Sequence, residues 1–475
     1  MSFTSESFLF LFLPLFLALY YLTPRRFRNL TLLVESYVFY GWWRLDFLLI
    51  LIGTTLWSYW AGALMMKARE EKWRDRICAI GVTGCVSVLF IFKYFGFFVD
   101  SLATLIGETP ESLGIHWKLL FPIGISFYVF HAISFLVDVK RGQAEPPRNI
   151  IDYASFLALF PQIMAGPILR YKDLAPQMVE RRPNWDMFTE GWRRFVLGLA
   201  KKVIVADNLA KLTDHLFSLP DPTFAESWLG GAAFMMQVYF DFSGYSSMAI
   251  GLALMFGFRF AENFRTPFHS RSVTEVWKRW HISLGQWLYT YVFLPLGGNK
   301  GGQKKQLRNI FLVSLVGGIW HGANWTFMFW GVWKGLFLVT ERHQGWLRRD
   351  RSAWYGSFGV IFLMTIGGVM FRSVDFMHGL EMFKGMVGIN GLLIRPEAAF
   401  GISREALAIC FGAMVFTFFE PRLQKFGEFQ PVTVDSGWSV VAANWGKALM
   451  ALAIGAWAVI EIADNSYQPF LYIQF

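Results

Sequence analysis

Charge is what this 475-residue sequence lacks most: Asp, Glu, Lys and Arg make up 16% of it, against roughly 25% in soluble domains. A chain so poor in charge and 55% hydrophobic is not a water-soluble fold. Cysteine is scarce too. Its three copies, Cys78, Cys85 and Cys410, stand in apolar stretches with no CxxC spacing and no His-rich tract beside them, which supports neither a disulfide framework nor a zinc site. HExxH, GxSxG, dinucleotide-type GxGxxG and the GxxxxGK[ST] order are absent, so the common protease, hydrolase, dehydrogenase and nucleotide motifs give no reading. No internal repeat of solenoid or inverted-transporter type is visible, and no low-complexity tail or soluble domain is expected at either end.

What is present is a series of apolar runs rich in aromatics, with 50 Phe and 21 Trp. They predict an all-α polytopic membrane protein, a single domain over 1–475. Spans are expected near 8–22, 29–43, 47–66, 77–98 and 119–138, most of them close to the ~20 residues needed to cross a bilayer. The first run has no preceding Lys or Arg and no small-residue cleavage site after it, and is expected to be retained as a span. The stretch Ile151 to Ile168 carries Pro161, Gly166 and Pro167, so it is expected to dip into the protein rather than cross. Further runs near 195–217, 228–258, 309–340, 356–371, 404–419 and 444–462 bring the expected number of spans to about 10 or 11, with re-entrant and interfacial helices besides.

The formal charge of +10 comes from basic residues between apolar runs, which argues for the positive-inside rule and against nucleic acid. Arg25, Arg26 and Arg28 follow the first span, Lys67 to Arg76 the third, and Lys140, Arg141 and Arg148 the fifth. Three strongly basic loops on one face put the N-terminus outside the cytoplasm.

Against this apolar background a few polar residues stand out. From Ile310 to Trp333 no Asp, Glu, Lys or Arg occurs, and His321 lies near the middle, in Gly317-Gly318-Ile319-Trp320-His321-Gly322-Ala323-Asn324. An intramembrane ionisable group is costly and reads as a functional site, and imidazole suits general-base chemistry. The competing reading is a histidine that hydrogen-bonds a neighbouring helix. His281, in Trp277-Lys278-Arg279-Trp280-His281, lies in an interfacial pattern of charges and tryptophans. It is either merely polar there or stands at the mouth of a cavity leading to His321. Asp241 is the only formal charge between Trp228 and Phe258 and needs a partner: it orients a histidine, binds an Arg from another helix, or lines a polar tunnel with Gln237 and Tyr245. His131 reads as a satisfied inter-helix hydrogen bond, and His116, His215, His269, His343 and His378 carry no spacing signal. Lys300, Lys304, Lys305 and Arg308 surround a Gly-rich stretch suited to phosphate or to anionic lipid.

At these residues the chain resembles the membrane-bound O-acyltransferases, of the bacterial branch that acetylates exported polysaccharide. The resemblance runs nearly end to end. It takes in Ser36-Tyr37-Val38-Phe39-Tyr40, Pro122-Ile123-Gly124-Ile125-Ser126, Tyr239-Phe240-Asp241-Phe242-Ser243-Gly244-Tyr245, Trp277-Lys278-Arg279-Trp280-His281, Leu296-Gly297-Gly298-Asn299, Trp320-His321-Gly322 and the closing Pro469-Phe470-Leu471-Tyr472. It implies helices around a thinned core crossed by a central tunnel, with His321 as catalytic histidine and His281 as the second signature histidine. Asp241, Gln237, Tyr245, Asn324 and Trp320 are then expected to line or brace the tunnel, Asn324 as a donor to the oxyanion. The implied donor is acetyl-CoA, entering near Lys300, Lys304, Lys305 and Arg308, with no permanently bound cofactor and no metal. The implied partners are a periplasmic SGNH-type transferase and an exported polysaccharide such as alginate. The alternatives are acyl transfer in teichoic acid D-alanylation, and a proton-coupled transporter in which Asp241, His131 and His321 form a path.

Overall fold

The computed structural model describes residues 1–115, 120–344, 355–427, 438–464 and 470–471; His116 and the closing residues 472–475 lie outside them. Among the described residues every regular element is helical. The protein is a multi-pass, all-α membrane protein. Four helical stretches are long and apolar enough to cross a bilayer by length and composition, Leu45–Lys67, Glu71–Leu105, Arg404–Leu423 and Ala442–Asp464, and Ser7–Leu22 and Gly356–Arg372 are shorter apolar helices. Of the other expected runs, 29–43, 119–138 and 228–258 each fall on a single helix, Arg28–Gly41, Ile125–Lys140 and Phe224–Met255. The residues cluster into one unit of 1–184 with 256–261 and a second of 185–255 with 262 onward.

In the first unit, α1 (Leu13–Leu22), α2 (Arg28–Gly41), α3 (Leu45–Lys67), α4 (Glu71–Leu89), α5 (Phe95–Leu105), α6 (Ile125–Lys140), α7 (Ile150–Ala158), α8 (Phe160–Ile163) and α9 (Tyr171–Val179) follow one another. Phe16 packs edge-on to Phe160 and Phe256, at ring separations of 4.9 and 4.5 Å. The prolines and glycine of this stretch do break it. The run from Ile151 breaks between α7 and α8, and the break is satisfied internally: the Phe160 amide donates to Ser36 Oγ at 3.2 Å, and Gln162 Nε2 donates to the Phe156 carbonyl at 2.6 Å. Broken backbone at membrane depth is tolerated only with such partners. His131, wholly buried on α6, accepts the Leu169 amide at 3.3 Å, so its bond is to the loop before α9 rather than to another helix.

The second unit holds α10 (Trp185–Ala200), α11 (Asp207–Phe217), α12 (Phe224–Met255), α13 (Val273–Arg279), α14 (Ile282–Leu288), α15 (Gly302–His321), α16 (Trp325–His343), α17 (Tyr355–Arg372), α18 (Phe376–Met386), α19 (Pro396–Phe400), α20 (Arg404–Gly427) and α21 (Trp438–Asp464). The 32-residue α12 is apolar all round and buried along most of its length, as a central helix should be. It meets α10 backbone to backbone, because a Cβ at Gly191 would lie 2.5 Å from the Gly251 carbonyl oxygen and one at Gly198 2.6 Å from that of Gly244. Only small residues permit such an approach. The apolar run 309–340 folds as two helices rather than one, broken at Gly322–Asn324 immediately after His321.

Candidate active site

His321 is the last residue of α15, where Gly322 turns to extended backbone and Asn324 caps α16 by accepting the Thr326 amide at 3.1 Å. The two helices cross as closely as backbones can. A Cβ at Gly318 would sit 2.5 Å from the Phe327 carbonyl oxygen and 2.7 Å from Gly331 Cα. That crossing fixes the depth and direction of the buried imidazole. Its ring lies 5.0 Å from those of Trp320 and Trp330 and 5.3 Å from Phe371, so aromatic walls restrict its rotation.

His281 is held differently. It joins α13 to α14 in a left-handed conformation, φ 45° and ψ 53°, which a non-glycine residue adopts at a cost of about 1 kcal/mol or more. Asn263 maintains the turn: its carbonyl accepts the Ile282 amide at 2.9 Å, and its Oδ1 accepts the Ser283 amide at 3.2 Å and the Ser283 hydroxyl at 2.9 Å. Because a backbone amide can only donate, that atom is the oxygen, and His281 Nδ1, 3.2 Å away, carries the proton it donates. Nε2 therefore carries the lone pair. Asn263 Nδ2 donates onward to Ser246 Oγ at 3.0 Å. Trp320 stands between the two imidazoles, 5.9 Å from His281 and 5.0 Å from His321.

Two cavities share a wall here. The larger, about 380 Å³, is lined from exposed Lys278, Asn299 and Arg342 to buried His281 and His321. The smaller, about 70 Å³, is almost wholly apolar and also ends on His321, with Phe234, Val360 and Phe371 among its walls. Trp277, Trp280, His321, Trp330 and Lys334 line both. Lys334 places its Nζ 3.8 Å from the centre of the Trp277 ring and 5.2 Å from that of Trp330. The alignment follows from a clamp: Ser272 caps α13 by accepting the Glu275 amide at 3.0 Å, the Glu275 carboxylate accepts the Arg271 amide at 2.8 Å, and Glu341 of α16 accepts the Val273 and Thr274 amides at 3.1 and 2.7 Å. A carboxylate at a helix N-terminus is favoured by its dipole. It locks α13, with Trp277, against α16, with Lys334.

The other expected residues divide. Asp241 lies apart from both cavities: its Oδ1 is 2.7 Å from Lys202 Nζ, and its Oδ2 accepts the Leu471 amide at 2.9 Å. Its partner is thus a lysine, which also holds Asp207 at 2.6 Å, and the acid orients neither histidine. Gln237 and Tyr245 are buried on α12 outside the cavity walls, the Tyr245 ring 4.4 Å from Phe470. Asn324 has its amide committed, Nδ2 to the Val374 carbonyl at 2.9 Å and Oδ1 to the α16 cap, which leaves it bracing the turn. Lys300, Lys304, Lys305 and Arg308 are exposed but do not line the larger cavity; Lys278 and Arg342 are the basic side chains at its outer end. Among the described residues no group of three His, Cys, Asp or Glu side chains is placed to hold a metal.

The family model described as MBOAT, membrane-bound O-acyltransferase family, matches residues 89–371, more than half the chain and both histidines. The chain is 42% identical to the probable alginate O-acetylase AlgI of Pseudomonas putida and 41% to that of Azotobacter vinelandii, over the whole of each protein. It is 31% identical to the peptidoglycan O-acetyltransferase of Helicobacter pylori, over 82% of this chain and 80% of that one.

Proposed function

The chain belongs to the membrane-bound O-acyltransferase family and is an O-acyltransferase, and from that premise we propose that it draws an acetyl group from cytoplasmic acetyl-CoA and delivers it across the inner membrane to an exported polysaccharide. The observation that carries this reading is that His321 lines both cavities, one of them reaching exposed basic residues. An acyl donor bearing phosphates fits that basic end, with Lys278 and Arg342 meeting the phosphates and the thioester lying against His321.

In the reaction proposed, His321 takes the proton from an acceptor hydroxyl as its oxygen attacks the acetyl carbonyl. The tetrahedral intermediate collapses with cleavage of the carbon–sulfur bond, and the departing thiolate receives the proton from the imidazolium. His281, fixed by its Nδ1 bond to Asn263, serves as the second catalytic histidine. Trp320 holds the two rings at their spacing, and Asp241, Gln237 and Tyr245 brace α12 behind them. The Lys334 ammonium supplies positive charge where the oxyanion and thiolate form.

Since acetyl-CoA is charged and cytoplasmic while the polymer is modified outside, the acetyl group itself must cross, and a periplasmic SGNH-type transferase is the proposed recipient. Full-length identity of about 40% to proteins named alginate O-acetylases favours alginate as final acceptor over peptidoglycan. Purified protein given acetyl-CoA labelled in the acetyl group tests the reading. Wild type is expected to release CoA thiol and transfer the label, and His321→Ala to do neither while remaining folded. A wild type that leaves the thioester intact, with and without a periplasmic acceptor protein, refutes the donor assignment.

A further inference from the structure

The first unit contains a cavity of about 660 Å³, where the Arg25–Phe27 turn faces the start of α7 and the end of α9. Arg25, Arg26, Arg28, Arg148, Arg181 and Arg182 line it, against two carboxylates, Asp152 and Glu180. Both acids are already engaged, Asp152 with Arg148 Nε at 2.8 Å and Glu180 with Arg182 Nη2 at 2.7 Å. Among the described residues, Arg25, Arg26, Arg28 and Arg181 have no carboxylate partner.

Instead, aromatic faces and neutral acceptors hold three of these guanidinium groups. Arg26 lies 4.6 Å from the centre of the Phe27 ring, Arg28 5.0 Å from that of Tyr20 and Arg181 4.5 Å from that of Phe258. Arg181 also donates to Tyr20 Oη at 2.9 Å and Asn29 Oδ1 at 2.7 Å, yet its Nη2 is buried with no hydrogen-bond partner among the described residues. Four uncompensated positive charges around one cavity repel one another, and partial exclusion of water strengthens the repulsion. Guanidinium forks match the paired oxygens of a phosphate. Exposed Phe27 and Leu30 line the same cavity, and exposed Leu22 ends the apolar α1 beside it, which is the surrounding a lipid headgroup meets.

The geometry points to a binding site for a phosphoryl anion of the kind carried by anionic phospholipid headgroups, distinct from the acyl-transfer cavities. The site is independent of the proposed reaction, so neither stands or falls with the other.

The test uses the full chain, delipidated and titrated with phosphatidylglycerol or phosphatidylcholine under native mass spectrometry. A parallel arm measures thermal stabilisation by inorganic pyrophosphate in phosphatidylcholine vesicles. Wild type is expected to prefer phosphatidylglycerol, and Arg25→Gln/Arg26→Gln to weaken that preference roughly ten-fold. Arg26→Gln alone replaces the double variant should the latter not fold. Arg69→Gln/Lys72→Gln removes the same charge from exposed positions in the loop after α3 and the first turn of α4 and is expected to bind as wild type does. An effect of phosphatidylglycerol alone assigns the site to lipid, and protection by pyrophosphate that the Arg25/Arg26 variant loses assigns it to free phosphoryl anions as well. Equal loss in both double variants, or a wild type that responds to neither ligand, overturns the proposal.

Discussion

Asn263 sets the tautomer of His281: its Oδ1, already accepting the Ser283 amide, lies 3.2 Å from Nδ1 and obliges that nitrogen to be the protonated one. Removing the amide frees the imidazole to turn and strands the buried Ser283 amide. Asn263→Ala is therefore expected to cost about 1–3 kcal/mol of stability and to lower acetyl transfer beyond the loss of folded protein. Asn263→Asp keeps the acceptor and is expected to retain more turnover per folded molecule than Asn263→Ala. Thermal unfolding together with label transfer from acetyl-CoA separates the two effects, and equal turnover in Ala and Asp variants counts against the tautomer argument.

Lys334 is the basic side chain that lines both cavities, and its ammonium rests against the faces of Trp277 and Trp330. An ammonium held in a water-poor junction stabilises a developing anion more than it does in water. Lys334→Met is expected to lower kcat by about 10²-fold with little change in KM, whereas Lys334→Arg keeps the charge and recovers part of the loss. Steady-state kinetics on detergent-solubilised protein give the split. A rise in KM alone instead assigns Lys334 to donor binding.

His321 was legible in the sequence because its neighbourhood contains no other strongly titratable group, so the imidazole stood out without any knowledge of contacts. Lys334 did not, although it follows the same uncharged stretch by one residue. Its significance depends on Trp277, 57 positions away, which Glu341 brings alongside by capping α13. Asn263 escaped notice for the same reason, as a lone amide in a loop whose only signal is three-dimensional. The stretch around Lys300 stands out for its local mixture of glycine and lysine, and its Asn299 lines the larger cavity, but the basic side chains at the outer end, Lys278 and Arg342, come from α13 and α16. Helix class and the helix break before Pro161 are readable from composition and breakers. The split of 309–340 was obscured by uniform apolarity, and only Gly322 and the capping Asn324 marked it.

Gly318 tests whether the α15–α16 crossing positions His321. A methyl there would lie 2.5 Å from the Phe327 carbonyl oxygen, a backbone atom that cannot swing aside, so the helices must separate. Gly318→Ala is expected to destabilise by about 1–3 kcal/mol and to reduce activity as the imidazole shifts. Gly359→Ala, on α17 with nothing within 4 Å of the added carbon, is expected to be neutral or slightly stabilising. Thermal midpoints of the two variants, measured in the same detergent, check the contrast.

The pair Lys202 and Asp241 separates a structural acid from a catalytic one. Both side chains are almost fully buried, with exposures of 3% and 4%, and Asp241 additionally anchors the Leu471 amide. Taking away the carboxylate leaves Lys202 with Asp207 alone, an arrangement in which a buried charge is less well compensated. Breaking a buried pair from one side costs about 3–5 kcal/mol, whereas replacing both members by apolar residues of similar size is often close to neutral. Asp241→Ala is thus expected to lower yield and thermal midpoint sharply, and Lys202→Met/Asp241→Leu to restore much of the stability. Because Asp241 touches neither histidine and neither cavity, the double variant is expected to transfer acetyl groups at close to the wild-type rate per folded molecule. A double variant that is stable yet inactive would instead make Asp241 part of the chemistry, with its influence reaching His321 or His281 through the α12 backbone.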